Sequence, residues 1–252
     1  MSWYIHTRRG AFGGHGAPAG AGGPLDGITV KAHWDFSVTG SLTLSGSEII
    51  QANDLSGNGF HLTPSGSGPS SGTRTINGLD VADFDGTTSL EVSLTGVSAS
   101  DYIISIAVQI DTTTGYTDAI MAMNSTPWYT KYWQIDSNDN GGNFDARYLR
   151  AGGLGSSFTL DPAGTVSGLQ LYTYVFDFTN SDIYGRRNLT PKGSVTDFTT
   201  AWDSNMVFSL ARGASGTPVM NCAVCEVVIA EGSSASDRDT IESYLKSKWG
   251  TP

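Results

Sequence analysis

The amino-acid sequence predicts an all-β protein whose strands form an antiparallel sandwich or barrel. From residue 28 onward, apolar and polar residues alternate in short runs, as strands with one buried face require. Examples are residues 90–94, 103–110, 171–178 and 206–210. Turn-forming pairs interrupt the runs. They include Asn58-Gly59, Asn77-Gly78, Asp85-Gly86 and Asn140-Gly141. Strands and helices do not alternate along the chain, and no Gly-rich phosphate loop follows a strand, which argues against an α/β fold.

The composition narrows the classes of function. The 252 residues include 14 Lys and Arg against 24 Asp and Glu, which gives a net charge of −10 and a pI near 4.6. An acidic chain without a basic stripe is not expected to bind nucleic acid. The sequence has no apolar run of about 18 residues, so we expect no membrane insertion. Hydrophobic residues make up 38% of the chain, too many for a fully disordered protein.

The first part of the chain differs from the rest. Residues 1–27 are predicted to form a Gly-rich N-terminal arm, and residues 28–252 the folded domain. Eight of the first 27 residues are Gly, a density at which neither a helix nor a core forms. A Gly- and Ala-rich stretch without an apolar segment follows Arg8-Arg9, which argues against an export signal.

The start of the arm carries apolar and basic side chains that a solvated tail does not need. Two interpretations stay open. The arm is either a disordered terminus or a segment that docks on a partner subunit and orders there. In the second case the candidates for anchoring are Trp3, Tyr4, Ile5, Arg8 and Arg9.

The C-terminus is predicted to form one short helix, near residues 236–247. Residues 236–239 have the S-x-x-D spacing of a capping box. Apolar residues then recur at helical spacing. They are Ile241, Tyr244, Leu245 and Trp249. Gly250 and Pro252 end the helix, and its apolar stripe is expected to pack on the sandwich.

Three stretches of the sequence together resemble a known family. The first is Ala-His-Trp-Asp at residues 32–35 with Gln-Ala-Asn-Asp-Leu-Ser-Gly-Asn-Gly at residues 51–59. The second is Leu-Asp-Val-Ala-Asp-Phe-Asp-Gly at residues 79–86. The third is Cys-Glu-Val-Val-Ile-Ala at residues 225–230, which leads to Tyr-Leu-Lys-Ser-Lys-Trp-Gly at residues 244–250. In this order and spacing they resemble the concanavalin A-like lectin/glucanase (LamG-like) jelly rolls of bacteria and their phages.

The resemblance extends over about residues 28–250. It implies a two-sheet antiparallel jelly-roll sandwich with a concave face, and glycan binding as the commonest role. A Gly-rich arm joined to such a domain also resembles an attachment subunit of a phage or phage-like particle, such as a tail fibre or a head spike. The head spikes of gene transfer agents, which recognise capsular polysaccharide, are one version. A shared fold does not by itself fix the function.

Catalytic carboxylates are not evident in the sequence. Glycoside hydrolysis needs two carboxyl groups on either side of the scissile bond, and the glucanases of this superfamily carry an E-x-D-x-E string that is absent here. The nearest substitutes are Asp80, Asp83 and Asp85, of which Asp85 belongs to a predicted turn. We therefore expect no enzyme activity, although carboxylates from separate strands could still converge.

Other reactive residues have structural interpretations. Glu226 lies in an apolar run and is predicted to be a buried or partly buried hydrogen-bond acceptor. His33 and His61 are expected to be surface or packing residues. Cys222 and Cys225 are three apart on a predicted strand, so they face opposite sides and are expected to be two small buried thiols.

One loop resembles half of a calcium site. Asp136, Asn138 and Asn140 match the first half of a calcium-binding loop, but the twelfth position is Arg147 instead of Glu. The flanking residues have the pattern of strands rather than helices. A polar hairpin is therefore the favoured interpretation. Calcium remains the alternative, and no other cofactor is expected.

The most suggestive cluster is a run of aromatic residues. On a strand, Trp128 and Tyr132 share one face while Tyr129 and Trp133 share the other. One pair should pack in the core, and the other pair is either an exposed platform for sugar rings or an ordinary cross-strand pair. Cationic side chains that could bind an anionic polysaccharide follow in the sequence. They are Arg147, Arg150, Arg186 and Arg187.

These observations predict a non-catalytic adhesin on the surface of a virion, released from the cell by lysis. The fibre or spike subunit would bind capsular or other host polysaccharide and attach to other virion proteins through its arm, so that repeated weak sites act together. The alternatives are a purely structural capsid-decoration or tail protein and, third, a polysaccharide-degrading enzyme.

Overall fold

The computed structural model describes residues 23–96, 100–112, 119–125, 132–138, 143–150, 153–161, 168–196, 205–212 and 220–252. The predicted arm lies outside these residues except for 23–27. In the first half of the chain the strands are β1 (Val30–Asp35), β2 (Leu42–Ser45), β3 (Glu48–Ala52), β4 (Thr63–Pro64), β5 (Thr75–Ile76), β6 (Leu79–Asp80), β7 (Ala82–Asp85), β8 (Leu90–Thr95) and β9 (Tyr102–Thr112). In the second half they are β10 (Ala119–Ser125), β11 (Tyr132–Asn138), β12 (Asn143–Arg150), β13 (Gly153–Asp161), β14 (Gly168–Asp177), β15 (Asp182–Arg187), β16 (Thr190–Val195), β17 (Asn205–Leu210) and β18 (Asn221–Glu231), before helix α1 (Ala235–Trp249).

Most of these strands belong to two antiparallel sheets. The first sheet has the order β1-β18-β9-β14-β15-β16, with β7 also paired to β18. The second sheet has the order β13-β12-β11-β10-β17-β8-β4. The small hairpins β2–β3 and β5–β6 lie outside both. This architecture confirms the predicted all-β, two-sheet antiparallel sandwich with one short C-terminal helix.

The main core fills the space between the two sheets. Trp34 of the first sheet stacks on Phe208 of the second, with ring centroids 5.2 Å apart. Trp133 meets Tyr174 and Phe176 edge-on, at 4.9 and 5.1 Å. Such aromatic pairs bury large apolar areas and favour one relative placement of the sheets.

A second core lies on the outer face of the first sheet, beneath α1. The helix buries Ile241, Leu245 and Trp249 against apolar sheet residues. Those sheet residues include Ile103, Ala107, Leu171, Val175, Val228 and Ala230. The apolar stripe predicted for the helix thus packs on the sandwich as expected. Within the described part of the chain, no helix is long and apolar enough to span a membrane.

The helix begins earlier and ends later than predicted. The N-cap is Ser234, whose side chain accepts a hydrogen bond of 3.0 Å from the backbone N–H of Asp237. Residues 234–237 repeat the same S-x-x-D spacing, so the predicted cap at Ser236 was wrong by two residues. At the other end the helix extends through Trp249 and ends at Gly250, which adopts the left-handed conformation of a C-cap with φ of 70°.

The two cysteines lie on opposite faces of β18. Cys222 belongs to the core between the sheets, and Cys225 to the core beneath α1. Both are unbonded and buried, and this burial raises the pKa of each thiol. They match the predicted pair of small buried thiols.

Candidate functional site

The outer faces of the two sheets differ in chemistry. The first sheet is apolar where the helix covers it. In the central strands of the second sheet, the residues that alternate with the core positions are mostly polar. We call this surface the polar face, and we define it by Glu91, Ser93, Ala122, Asn124, Gln134, Val207 and Ser209.

One row of the polar face crosses four strands in register. Gln134 lies opposite Ala122, Ala122 opposite Ser209, and Ser209 opposite Glu91. Gln134, Ala122 and Ser209 are buried. In this row the methyl group of Ala122 therefore lies between the amide of Gln134 and the hydroxyl of Ser209, and all three residues are buried. Register also places Arg147 opposite Gln134, as the next position of the same row.

The neighbouring row contains the most unusual residue of the face. Asn124 lies between Tyr132 on one side and Val207 on the other, and Ser93 follows Val207. The Asn124 side chain is 1% exposed. Among the described residues neither its Oδ1 nor its Nδ2 has a hydrogen-bond partner. Buried amide groups in native proteins are nearly always satisfied, so this exception calls for an explanation.

An ion pair lies at the edge of the polar face. Arg212 Nη1 binds Glu91 Oε2, and the Ser209 hydroxyl donates to the backbone carbonyl of Arg212 at 3.1 Å. The one described carboxylate of the polar face is therefore neutralised by its own partner.

The structure separates the predicted site residues into three groups. Trp133 is 1% exposed and belongs to the core, so it is not available to a ligand. The backbones of Tyr132 and Arg147 belong to the two rows of the polar face, and Arg150 pairs with Gly153 at the far end of β12. Trp128 and Tyr129 lie outside the described residues.

The loop that resembles half of a calcium site joins two paired strands. Register places Asp136 opposite Asp145 and Asn138 opposite Asn143, in agreement with the predicted hairpin. Asn140 lies outside the described residues. Calcium binding stays a prediction.

Two of the predicted cationic residues lie on the other sheet. Arg186 and Arg187 belong to β15 of the first sheet. Arg186 donates to Glu242 Oε1 of the helix at 3.0 Å and also to the carbonyl of Leu189. Burial raises the pKa of Glu242, against the opposing charge of Arg186. This arginine holds α1 on the sheet and is not part of the polar face.

Of the three aspartates nearest to a glycosidase-like string, Asp83 and Asp85 are engaged in local structure. Asp83 binds Arg74 at 3.3 Å. Asp85 accepts from the backbone N–H of Thr87 at 2.9 Å and from the Thr87 hydroxyl, and these hydrogen bonds lower the pKa of Asp85. Asp85 thus stabilises the turn that the sequence predicted at this position.

A second polar cluster surrounds Glu226, which is 0% exposed. Its Oε1 receives His33 Nε2 at 2.6 Å and the Tyr244 hydroxyl at 2.7 Å. Its Oε2 receives Lys248 Nζ at 2.8 Å and Trp249 Nε1 at 2.7 Å. We call these five residues the Glu226 cluster. Four donors on one carboxylate leave no oxygen lone pair directed at a substrate.

The charges in the Glu226 cluster favour an ionised carboxylate. Burial alone raises the pKa of Glu226, but the hydrogen bond and charge of His33 and the charge of Lys248 outweigh it, so the net shift is downward. Burial and the adjacent carboxylate raise the pKa of Tyr244, which therefore stays protonated at neutral pH. The cluster holds β1, β18 and α1 together. Glu226 is the buried hydrogen-bond acceptor that its apolar run predicted.

The Glu226 cluster brings together the first and the third of the stretches on which the family resemblance rests. His33 comes from the first stretch, and its backbone N–H donates to Asp54 Oδ1 at 2.9 Å. Glu226, Tyr244 and Lys248 come from the third stretch. The residues that carry the resemblance therefore build the domain, whereas the polar residues of the candidate site lie in stretches that carry none of it.

Comparisons with known proteins agree on the architecture. Domain 4 of AbnA, a GH43 extracellular arabinanase from Geobacillus stearothermophilus solved with arabinotriose, aligns with a TM-score of 0.64 and 16% identity over 85% of this chain and 98% of that chain. The botulinum neurotoxin serotype D binding domain aligns with a TM-score of 0.64 and 10% identity, over 91% of this chain and 56% of that chain. The ligand binding domain of the same toxin, solved with N-acetylneuraminic acid, aligns with a TM-score of 0.61 and 12% identity over the same shares.

No protein-family model and no curated protein sequence matches the chain. At identities this low, the structural similarity shows a shared β-sandwich fold and nothing about the ligand.

Proposed function

We propose that the polar face binds carbohydrate and does not cleave it. The observation that carries the proposal is the contrast between the two outer sheet faces. The face covered by the helix is apolar, as packing requires, whereas the polar face exposes Ser93 and leaves Glu91 and Val207 partly exposed.

The chemistry of the face suits a sugar. Hydroxyl groups of a sugar both donate and accept hydrogen bonds, as the hydroxyl of the exposed Ser93 does. The apolar C–H face of a sugar ring would pack on the partly exposed Val207 and on the aromatic residue that the sequence predicts for the site, Tyr132. Fixed polar groups beside an apolar floor are typical of small-molecule sites. Two solved structures that share the β-sandwich fold were determined with arabinotriose and with N-acetylneuraminic acid, so the fold is compatible with a sugar site.

The first experiment is a titration of the full chain with capsular and other surface polysaccharides from candidate host cells, followed by calorimetry and by assay of reducing or unsaturated ends. We expect saturable binding without product. Tyr132→Ala should weaken binding by roughly 5- to 150-fold, because an aromatic platform contributes about 1–3 kcal/mol per stacked ring. Trp128→Ala tests the residue predicted to share the face of Tyr132.

The matched control is Tyr184→Ala, which removes the same side chain from the first sheet. Binding that is equally weak in both variants would contradict a site on the polar face, and so would undiminished binding by Tyr132→Ala. Release of reducing ends would contradict the non-catalytic assignment.

We further propose that this binding serves a fibre or spike subunit on the surface of a phage-like particle, outside the cell after lysis. The support is the composition of the Gly-rich arm and its resemblance to attachment subunits. Deletion of residues 1–22 should then leave sugar binding unchanged and abolish attachment to other virion proteins. If no glycan binds and only attachment is lost, the protein is a structural capsid-decoration or tail component.

Polysaccharide cleavage is a second candidate function, and the relative position of two aspartates favours it. Asp136 and Asp145 lie directly opposite each other on neighbouring strands. Glycosidases use two carboxyl groups held near each other, and this register brings two aspartates to one position of the sheet. Under this function Asp145→Asn would abolish product release while binding persists.

The same pair is also the best-placed part of a calcium site. We propose calcium as the cofactor if any is bound, held by Asp136, Asn138 and Asn140 with Asp145 opposite. Calcium would then raise the melting temperature of the wild type and leave that of Asp136→Asn unchanged. Equal melting temperatures of the wild type with calcium and with a chelator would exclude the site.

A further inference from the structure

We infer that the outer edge of β2 is a docking surface for the N-terminal arm of a second copy of this chain. Residues 3–7 of that arm add to the hairpin β2–β3 as a third strand. The inference rests on the attachment role proposed for the arm, and it adds the surface that the arm recognises. The polar face takes no part in this contact.

β2 is an edge strand with an exposed outer side. It pairs with β3, and no other described strand pairs with it. Thr43, Leu44 and Ser45 are exposed. Among the described residues, no backbone hydrogen bond joins these three to anything outside the hairpin. Such an edge presents N–H and C=O groups at the spacing that another strand needs.

Other strand edges of the described chain are protected against pairing. At β1, the Ser56 hydroxyl and the Asn58 amide donate to the carbonyl of Lys31 at 3.2 and 3.0 Å. The end strands β16 and β4 contain Pro191 and Pro64, which cannot donate to a further strand. β2 has the sequence Leu-Thr-Leu-Ser, with neither proline nor charge. Its sequence therefore offers no protection against a further strand.

Exposed apolar side chains lie at the same hairpin. In the described part of the chain, three large apolar residues are more than a third exposed: Val38 at 38%, Leu44 at 39% and Ile50 at 41%. All three lie within residues 38–50. Ile50 is the extra residue at the β-bulge of the hairpin. Apolar side chains that are exposed together on one surface are typical of an interaction site.

The arm contains one segment with the composition of a strand. Residues 3–7 are Trp-Tyr-Ile-His-Thr, and Trp, Tyr, Ile and Thr are residue types enriched in strands. The first nine residues contain neither Gly nor Pro, whereas residues 10–22 contain six Gly. A Gly-rich linker of that length spans about 20 Å on average. The segment that can pair is thus joined to the domain by a linker that lets it reach a neighbour.

Charge also favours the arm as the occupant. Residues 1–22 contain Arg8 and Arg9 and no acidic residue. All 24 acidic residues and 12 of the 14 basic residues belong to the rest of the chain, which therefore has a net charge of −12. Two such domains repel each other. The basic arm is the part of one copy that the domain of another copy attracts.

The start of the described chain favours a second copy over the same copy. Leu25 packs in the core beneath α1, on the outer face of the first sheet. Leu42 and Ile49 of the hairpin pack at the core between the sheets, on the other side of the first sheet. The arm therefore leaves its own domain on the side opposite to these contacts. Addition of a strand to β2 of a neighbour would join copies head to tail.

The test is sedimentation of the full chain over a range of protein concentrations. We expect reversible self-association. Ile5→Asp and Leu44→Lys should each weaken it by at least about tenfold, because each puts an unpaired charge into the new strand pair. The controls make the same charge changes elsewhere, with Ala17→Asp in the linker and Thr190→Lys on the exposed start of β16. Both controls should associate like the wild type.

A mixture of the two variants identifies the contact. Ile5→Asp and Leu44→Lys, each monomeric alone, should form a dimer and nothing larger when mixed in equal amounts. The reason is that Leu44→Lys supplies an intact arm and Ile5→Asp supplies an intact β2. A mixture that stays monomeric would contradict the docking of an arm on β2, and so would equal association by Leu44→Lys and the wild type.

The outcomes separate this inference from the proposed function. Loss of association in Ile5→Asp but not in Leu44→Lys would overturn the inference and leave the attachment role of the arm standing. A monomeric wild type would do the same, if removal of residues 1–22 still abolishes attachment to other virion proteins. If that removal changes neither association nor attachment, the attachment role and the inference are both wrong.

Discussion

Glu226 shows how much of the fold depends on a single side chain. The carboxylate is completely buried, and it joins β1 and β18 of the sandwich to the C-terminal helix through four hydrogen bonds. Lys248, one of its partners, also binds Asp35. A buried charge that loses its partners is far more costly than an exposed one, so these five side chains depend on one another.

Replacement of the carboxylate should therefore destabilise the protein in a pH-dependent manner. Glu226→Gln is expected to lower the free energy of unfolding by about 3 kcal/mol at pH 7, because the amide nitrogen of glutamine cannot accept the two hydrogen bonds that one carboxylate oxygen receives. The folded-state pKa of Glu226 lies below its ordinary value of 4.5. The stabilisation by its charge is thus complete above pH 4.5 and is lost as the pH falls through the lowered pKa.

The measurement is urea unfolding of wild type and Glu226→Gln from pH 7 to pH 3. The difference between the two proteins should narrow below pH 4.5. A difference that is constant across this range would show that the carboxylate does not stabilise the fold through its charge. Glu231→Gln is a suitable control, because Glu231 forms only a partly exposed pair with Lys31.

The residues of the candidate site were only partly predictable. Alternation divided the aromatic run into two faces but did not say which face was inside. The structure places Trp133 inside, whereas Trp128 and Tyr129 lie outside the described residues. Asn124 was missed, because the segment Ala-Ile-Met-Ala-Met-Asn-Ser of β10 is apolar at both alternations and gives no signal of a functional face. Only the register with β11 and β17 shows that Asn124 and Gln134 lie on one surface.

At the scale of elements, α1 shows why boundaries are harder to predict than the elements themselves. The apolar stripe predicted the helix and its packing correctly. Two overlapping S-x-x-D strings compete for the cap, at Ser234 and at Ser236, and they are equivalent in sequence. The structure selects Ser234, and the adjacent Ser233 hydroxyl donates to Asp101 Oδ2 at 3.0 Å, which fixes the chain just before the helix.

The two serines provide a matched test of this cap. Ser234→Ala should lower the stability of the protein by about 1 kcal/mol, the usual effect of losing an N-cap. Ser236→Ala lies within the exposed first turn and should change stability by less than about 0.5 kcal/mol. Chemical denaturation of both variants checks the difference. Equal effects, or a larger effect at Ser236, would place the cap where the sequence first suggested.

At the scale of the whole molecule, the prediction was strongest for the architecture. Short alternating runs and frequent turn pairs correctly indicated an antiparallel sandwich or barrel, because the period-two pattern is imposed on every strand with one buried face. The family resemblance implied the choice of a two-sheet sandwich. The order of strands within each sheet could not be read in the same way. It depends on long-range pairs such as β1 with β18, which no local pattern encodes.

The two ends of the chain should tolerate truncation very differently. Removal of residues 1–22 is expected to leave the melting temperature within about 2 °C of the wild type, since a Gly-rich arm builds no core. Removal of residues 244–252 takes away Tyr244, Lys248 and Trp249 and should prevent cooperative folding. Calorimetry of both truncated proteins checks this. A cooperative transition in the second protein would show that the Glu226 cluster is dispensable.

The position of the Glu226 cluster in the sequence also has a consequence for synthesis. Three of the four groups that bind the carboxylate are contributed by Tyr244, Lys248 and Trp249 of α1. The strands of both described sheets precede this helix in the sequence. A chain that is synthesised from its N-terminus therefore completes both sheets before the partners of Glu226 exist. A nascent chain that stopped just before α1 would hold a buried carboxylate without these partners, and its low stability would favour degradation.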